Sequence, residues 1–384
     1  MKVLLVTKQI LSVRDDKVYC QFALSSTLEI FQRFGSLYVC ACSDDQEATQ
    51  PVDALTSLDV DHVAFIDGER GLKRRFFGRS QNKETIRRFA REVDMVIGYV
   101  PASVCDLAFR VAREEHKPYM TFLVACVWDG MWHHRNWKAR LMAPIEFRAT
   151  RHTVLHSDYA WYVTEEFLQR RYPTQGRSLG CTDTNIPEDQ SDILERRMRH
   201  IDDNDGTITL LTVGHLDVGF KGQQFIIRAL PELQARGMKV KLQMIGAGKG
   251  DHLMRLAESL NVKDCVEALG TCSRPQVLDY MDRADIYLQV SLQEGLPRSV
   301  AEAMSRAMPV VGSRTGGIPE MIEPEFVTRR KNVEDIVKVV LAMDKETMRR
   351  QAKRNFEASR KYLPSQVNAR VNEFFATIKR ELKG

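Results

Sequence analysis

The chain reads as an α/β protein built from two doubly wound domains, and three observations predict this. Apolar, β-branched runs alternate with amphipathic helical stretches along most of its length, the pattern of parallel sheets covered by helices on both faces. At 384 residues the chain is long for one hydrophobic core. A turn-rich stretch, Thr182-Asp-Thr-Asn-Ile-Pro187, and a polar loop, Asp202-Asp-Asn-Asp-Gly206, divide the runs into two sets.

The first set of expected strands is Val3–Thr7, Leu37–Cys42, Val63–Asp67, Met95–Val100, Tyr119–Val127 and Ala160–Val163. Helices fall between them; Ile86, Phe89, Ala90 and Val93, for example, keep helical spacing. The second set is Ile208–Val213, Val240–Ile245, Val266–Leu269, Ile286–Val290 and Pro309–Val311. The boundary is expected within Gly180–Asp205, giving a first domain of residues 1–185 and a second of 186–365. From Glu334 to Leu382 the chain is helical with few breakers, and Pro364 is the expected break.

Bulk properties exclude several classes. A hydrophobic content of 43% and a charged content of 28% are those of an ordinary soluble protein. No apolar run approaches the ~20 residues that span a bilayer. The start, Met1-Lys-Val-Leu-Leu-Val-Thr7, reads as a first strand rather than a signal peptide. The eight cysteines are scattered, with no Cys-x-x-Cys, which argues against a disulfide framework or a zinc site; Cys40 and Cys42 share one face of a strand. A reducing cytoplasm is the expected setting. The net charge of +5 does not mark a nucleic-acid binder. One local patch stands out. Between Arg70 and Arg91 lie nine Lys/Arg against one acid, Glu84. A solvated helix and loop is the simple reading. The alternative is docking to anionic lipid headgroups through Arg74, Arg75 and Arg79 with Phe76 and Phe77.

The motif richest in chemistry is Ser291-Leu-Gln-Glu-Gly-Leu-Pro-Arg-Ser-Val-Ala-Glu-Ala-Met304. It reads as a strand end, a tight turn and a helix. Pro297 suits the first helical position, where its missing N–H costs nothing. Gly295 permits a backbone conformation that other residues resist. The opened helix N-terminus offers bare N–H groups and a positive dipole end to a phosphate. Glu294 in the turn and Glu302 in the helix can accept hydrogen bonds from a sugar and from a ribose. Together they suggest a nucleotide-sugar site. Arg298 and Glu302, four apart, also suit a plain helical ion pair.

This motif, with Leu211-Thr-Val-Gly-His-Leu-Asp-Val-Gly-Phe-Lys-Gly222, Leu242-Gln-Met-Ile-Gly-Ala-Gly248, Val266-Glu-Ala-Leu-Gly270 and Gly312-Ser-Arg-Thr-Gly-Gly-Ile-Pro-Glu320, resembles the retaining glycosyltransferases of family 4, which have the GT-B fold. The resemblance is strong over residues 207–330. It implies two Rossmann-like domains facing a cleft, with a last helix, about 366–384, packing back on the first domain. It also implies donor contacts from Lys221, Glu294 and Glu302. Lys221 would neutralise the leaving diphosphate, Glu294 would meet the donor sugar and the reaction centre, and Glu302 would hold the ribose. Gly246, Gly270, Arg274, Gly295, Leu296, Pro297, Arg298, Gly316 and Gly317 complete the expected donor site. Where the family usually has arginine, this chain has His215, so the second cation must come from His215 or from an arginine elsewhere. Gly246-Ala-Gly-Lys-Gly250 is not a dinucleotide fingerprint, since its spacing is G-x-G-x-G. Asp59-Val-Asp61 has a metal-binding form from another transferase fold but precedes a strand here. No metal or cofactor is expected.

The first domain departs more from the family. Many members carry a histidine near the donor sugar after the fourth or fifth strand. Here that place falls in Trp128-Asp-Gly-Met-Trp-His-His134, where Asp129, His133 or His134 could fill the role, with Asp129 the catalytic candidate. Three Trp and two His between Trp128 and Trp137 make an acceptor-facing loop, with Trp128, Trp132, His133 and His134 as candidates. The function implied is retaining transfer of a sugar, from a UDP-sugar in preference to a GDP-sugar, to a glycan or lipid-linked glycan in cell-surface polysaccharide synthesis. Capsule or O-antigen would be the product, and the enzyme would be cytoplasmic or peripheral at the inner membrane face. The alternatives are a GT-B nucleotide-sugar epimerase and a noncatalytic nucleotide-sugar binder; a nicotinamide-dependent dehydrogenase ranks last.

Overall fold

The structure, a computed structural model, describes residues 1–14, 17–43, 55–58, 62–66, 72–133, 136–184, 186–188 and 191–383. Asp59-Val-Asp61 and His134 lie outside the described residues, as do the side chains of Arg74, Arg75, Phe76, Phe77 and Arg79, which ride on the helix Leu72–Glu92.

The first sheet contains β1 (Lys2–Arg14), β2 (Lys17–Gln21), β3 (Ser36–Ser43), β4 (Leu55–Leu58), β5 (His62–Ile66), β6 (Met95–Val100), β7 (Tyr119–Leu123), β8 (Tyr159–Tyr162) and β9 (Arg177–Gly180). Its parallel part runs β5-β3-β1-β6-β7-β8-β9, and β2 and β4 extend the far end of β1 as an antiparallel ribbon. The second sheet contains β10 (Thr207–Val213), β11 (Lys239–Ile245), β12 (Val266–Gly270), β13 (Ile286–Gln289), β14 (Val310–Ser313) and β15 (Val327–Thr328), all parallel, in the order β12-β11-β10-β13-β14-β15. The order reverses between β1 and β6, and again between β10 and β13. In doubly wound sheets the crevice at such a reversal, beyond the carboxyl ends of the strands, is where ligands bind.

Central strands buried on both faces are mostly apolar, as is usual in parallel sheets; every side chain of β7 and of β13 is buried, Thr121 and Gln289 included. Two cores result. One is built from residues between Val3 and Cys181, joined by Val367, Val371, Phe374, Phe375 and Ile378 of the terminal helix Pro364–Glu381. Phe375 stacks on Phe34 with ring centroids 3.7 Å apart. The other lies between Ile186 and Tyr362. Leu296 packs against both.

Several local expectations are corrected. The apolar run Tyr119–Val127 is strand only to Leu123; the chain then turns, and Val127–Trp132 forms a short helix. An apolar run does not distinguish strand from buried turn. Pro297 is the N-cap, with ψ at 119°, so the helix begins at Arg298. The terminal helical run breaks at Asp344 as well as at Pro364, because the Asp344 carboxylate accepts from the Thr347 N–H at 2.8 Å and starts a new helix.

Candidate active site

The loops after β10 and β13 meet at the reversal in the second sheet. The first ends in a single turn, Gly219–Lys221, which presents the Lys221 side chain. The second carries Glu294. Lys221 Nζ donates to Glu294 Oε1 at 2.9 Å. The same oxygen accepts from Gln289 Nε2 at 3.0 Å. Gln289 is buried at the end of β13, and its amide oxygen accepts from Tyr287 OH at 2.6 Å and from Ser299 Oγ at 3.1 Å. Gln289 therefore fixes the rotamer of Glu294 and acts as a positioning residue. Sequence reasoning missed it, although a lone amide in the apolar strand Ile286-Tyr-Leu-Gln289 is a visible signal.

Glu302 lies one helical turn inside Arg298–Ser305, whose Val300, Ala301, Ala303 and Met304 are buried. Burial raises its carboxyl above the ordinary value, and the guanidinium of Arg274, with Nε 3.2 Å away, works against that rise. Arg274 opens the helix Arg274–Arg283, held by a reciprocal cap between Ser273 and Gln276. The anticipated Arg298–Glu302 pair does not form. Arg298 Nη2 instead donates to Asp183 Oδ2 at 2.6 Å, in the segment joining the domains.

Lys221, Arg274, Glu294, Arg298 and Glu302 line one cavity of about 760 Å³ between the two domains. Gly295, Leu296 and Pro297 also border it, and Tyr99 and Val124 contribute from the first domain. The requirement for glycine at 295 is one of space. A Cβ there would stand 1.9 Å from the Val124 carbonyl oxygen, across the domain junction. A second cavity, of about 530 Å³, is lined by Lys8, Ser103, Asp106, Glu146 and Thr150 of the first domain. Phe220 and Gln293 border both cavities, so the two are neighbours.

Other expected residues stand elsewhere. His215 is exposed, its Nδ1 accepting from the Asp217 N–H at 3.2 Å, and it does not border the cavity. Gly246 and Gly270 are outside the cavity wall too, and they hold loops together: Gly246 N–H donates to the Gly270 carbonyl at 2.8 Å. A Cβ at Gly246 would meet the Gly214 oxygen at 2.1 Å. Gly316 and Gly317 brace the Glu294 loop from behind, with Gly317 N–H donating to the Gly295 carbonyl at 2.6 Å.

Asp129 is not brought to either cavity. It is 1% exposed, and its carboxylate accepts from Arg330 Nη1 and Nη2 at 3.3 and 3.2 Å and from Arg171 Nη1 at 3.4 Å. Arg330 follows β15, so this pair ties one domain to the other. Both carboxylate oxygens are engaged by arginines, and burial outside both cavities keeps the group from a ligand's hydroxyl. Trp128 and Trp132 stack on each other with centroids 5.3 Å apart. Burial, then the charge of Arg330, lowers the His133 pKa, which disfavours the charged ring.

Residues 207–345 match the family model described as glycosyl transferases group 1. The chain is 25% identical to Protein CapJ of Staphylococcus aureus over 277 residues, 72% of this chain and 69% of that one. It is 28% identical to the putative colanic acid biosynthesis glycosyltransferase WcaL of Salmonella typhimurium over 156 residues, 38% of each chain. Among solved structures, sucrose-phosphate synthase from Thermosynechococcus elongatus superposes with a TM-score of 0.71 at 13% identity, covering 99% of both chains. HepE of Anabaena, in complex with UDP and glucose, superposes at 0.67 with 16% identity, covering 98% of this chain and 99% of that one. At these identities the structures establish the fold.

Proposed function

We propose that this chain, whose residues 207–345 match the model for glycosyl transferases group 1 and whose fold is GT-B, moves a hexosyl or N-acetylhexosaminyl group from a UDP-sugar to an acceptor hydroxyl with retention at the anomeric carbon. The observation that carries this reading is the convergence of Lys221, Glu294 and Glu302 on one interdomain cavity at the strand-order reversal. Glu302 accepts from the ribose hydroxyls. Lys221, with Arg274 and Arg298 on the same wall, balances the diphosphate charge that grows as the sugar departs. Arg274 thereby takes the place left by His215. Glu294, held by Gln289, faces the donor sugar.

In the reaction the bond from the anomeric carbon to the diphosphate oxygen breaks, and the acceptor oxygen bonds on the same face. The acceptor proton passes to the departing phosphate oxygen. Catalysis is then mainly positioning and charge stabilisation. The neighbouring cavity with Lys8, Ser103, Asp106 and Glu146 holds the acceptor. The acceptor class is a growing or lipid-linked glycan of a capsule or O-antigen type, at the cytoplasmic face of a membrane. The WcaL likeness supports polysaccharide synthesis, and the UDP bound by HepE supports the donor.

The test is a thermal shift of wild type and Glu302→Ala against UDP, GDP, CMP, ADP and NAD. UDP at 100 times its dissociation constant should stabilise the fold by ~2.7 kcal/mol. The expected outcome is a shift with UDP alone, lost in Glu302→Ala. A shift with NAD, or one that survives the substitution, refutes the site. Turnover of a UDP-sugar without acceptor would make the protein an epimerase, and UDP binding with no turnover a noncatalytic binder.

A further inference from the structure

The acceptor-side cavity has the helix Trp137–Leu155 as one wall, through Glu146 and Thr150. The buried side of this helix is Ala143, Thr150 and Val154. Its other side is apolar where a soluble helix would be polar. Trp137 is 63% exposed, Leu141 65% and Ile145 56%, at i, i+4 and i+8, and Met142 and the nearby Trp132 are also exposed. Scattered apolar residues on a surface mean little; a helical stripe of them beside a stacked tryptophan pair marks an interaction face.

Charge decides the partner. The helix carries Lys138, Arg140, Arg148 and Arg151 against one acid, Glu146, which faces the cavity. Lys138, Arg140 and Arg148 are exposed and have no carboxylate partner among the described residues. At 100° per residue Arg148 falls within the stripe, with Arg140 and Arg151 along one edge and Lys138 along the other. An apolar strip with tryptophans, rimmed by unpaired cations, matches the headgroup boundary of an anionic bilayer. No described helix is long and apolar enough to cross a membrane, so such contact would be along the surface.

We propose that the outer face of Trp137–Leu155 docks on an anionic bilayer, and that the inner face of the same helix then presents a lipid-linked acceptor to the cavity bordered by Glu146 and Thr150. The second half of the proposal rests on the transferase reading above; the docking does not.

Flotation of the whole protein with vesicles tests it, using neutral phosphatidylcholine with and without phosphatidylglycerol. Wild type should float with the anionic vesicles and release in high salt. Trp137→Ser/Leu141→Ser/Ile145→Ser should lose at least about tenfold in partition, as should Lys138→Gln/Arg140→Gln/Arg148→Gln. All six side chains are exposed, so both variants should keep the wild-type melting temperature and wild-type turnover of a short soluble acceptor. Turnover of a lipid-linked acceptor in vesicles should fall with binding. Flotation of either variant at the wild-type level overturns the proposal. So does a wild-type dimer in sedimentation that the serine variant abolishes, because a second copy would then cover the stripe. Flotation without turnover of any acceptor would uphold docking and remove the transferase reading instead.

Discussion

The two domains line their cavities in different ways. In the second domain Glu294, Gly295, Leu296, Pro297, Arg298 and Glu302 come from one short stretch, with Lys221 from the loop after the neighbouring strand β10. In the first domain Lys8, the pair Ser103 and Asp106, and Glu146 come from three separate places in the chain. A nucleotide diphosphate always has the same charges and the same diol. It can be met by a fixed spacing around one helix N-terminus. A glycan hydroxyl has no such signature, and scattered side chains suffice. On the proposed assignment, one domain would meet its ligand with a contiguous motif and the other would not.

That contrast can be broken by substitution. The largest effect is expected at the contiguous motif: Lys221→Ala and Glu294→Ala should each lower kcat about 10³-fold at saturating donor, as for loss of a group that stabilises developing charge. Near-normal turnover in either variant would dissolve the distinction. Asp129→Ala tests whether the first domain's conspicuous carboxylate is structural. It should lower stability by about 2–3 kcal/mol, somewhat less than for a fully buried pair, because Arg330 and Arg171 keep part of their solvent access. UDP affinity of the folded protein should hold. Denaturation and calorimetric titration separate the two, and a large loss of kcat without a loss of stability would return Asp129 to the chemistry.

Gly295→Ala sharpens the comparison at the boundary itself. With Val124 O 1.9 Å from the new methyl, the domains cannot approach as they do now. Turnover should drop about 100-fold, since small displacements of positioned groups cost that much. Scattering should show a more open molecule, and an unchanged radius of gyration with normal turnover would refute the expectation. The smallest effect belongs to Glu302→Gln. Burial raises the wild-type carboxyl above its ordinary value. A raised folded value favours the fold fully below the ordinary value, and that advantage is lost as pH rises through the raised one. The melting temperature of wild type minus variant should therefore fall as pH rises from the ordinary glutamate value through the raised one. Above that range the variant should melt higher than wild type, while binding UDP more weakly. A pH-independent difference would mean that the buried charge costs nothing.

The sheets were legible where the chain is buried on both faces, as at β6 and β13, and where apolar residues alternate, as at β11. What escaped was short, at an edge or antiparallel. The strands β2, β4, β9 and β15 have five residues or fewer and no sustained pattern of their own. Around the turn at 294–298, the cavity-lining residues were readable because local spacing defines them, whereas His215, Gly246 and Gly270 lie outside that cavity. Gln289 was not, because its role depends on Tyr287 and Ser299 closing around it. The first domain misled for a related reason. Asp129 sits beside tryptophans and a Gly, which suggests a ligand loop. Its partners Arg171 and Arg330 lie 42 and 201 residues away, and no local reading could pair them.

Leu296 packs against both apolar cores while its neighbour Glu294 faces the cavity. Parting the domains exposes the rest of that half-buried leucine, at some fraction of the ~1.5–3 kcal/mol of a full burial. The stretch that carries Glu294 thus also resists opening of the cleft, so what lines the cavity and how easily it opens are adjustable by neighbouring substitutions in a single turn.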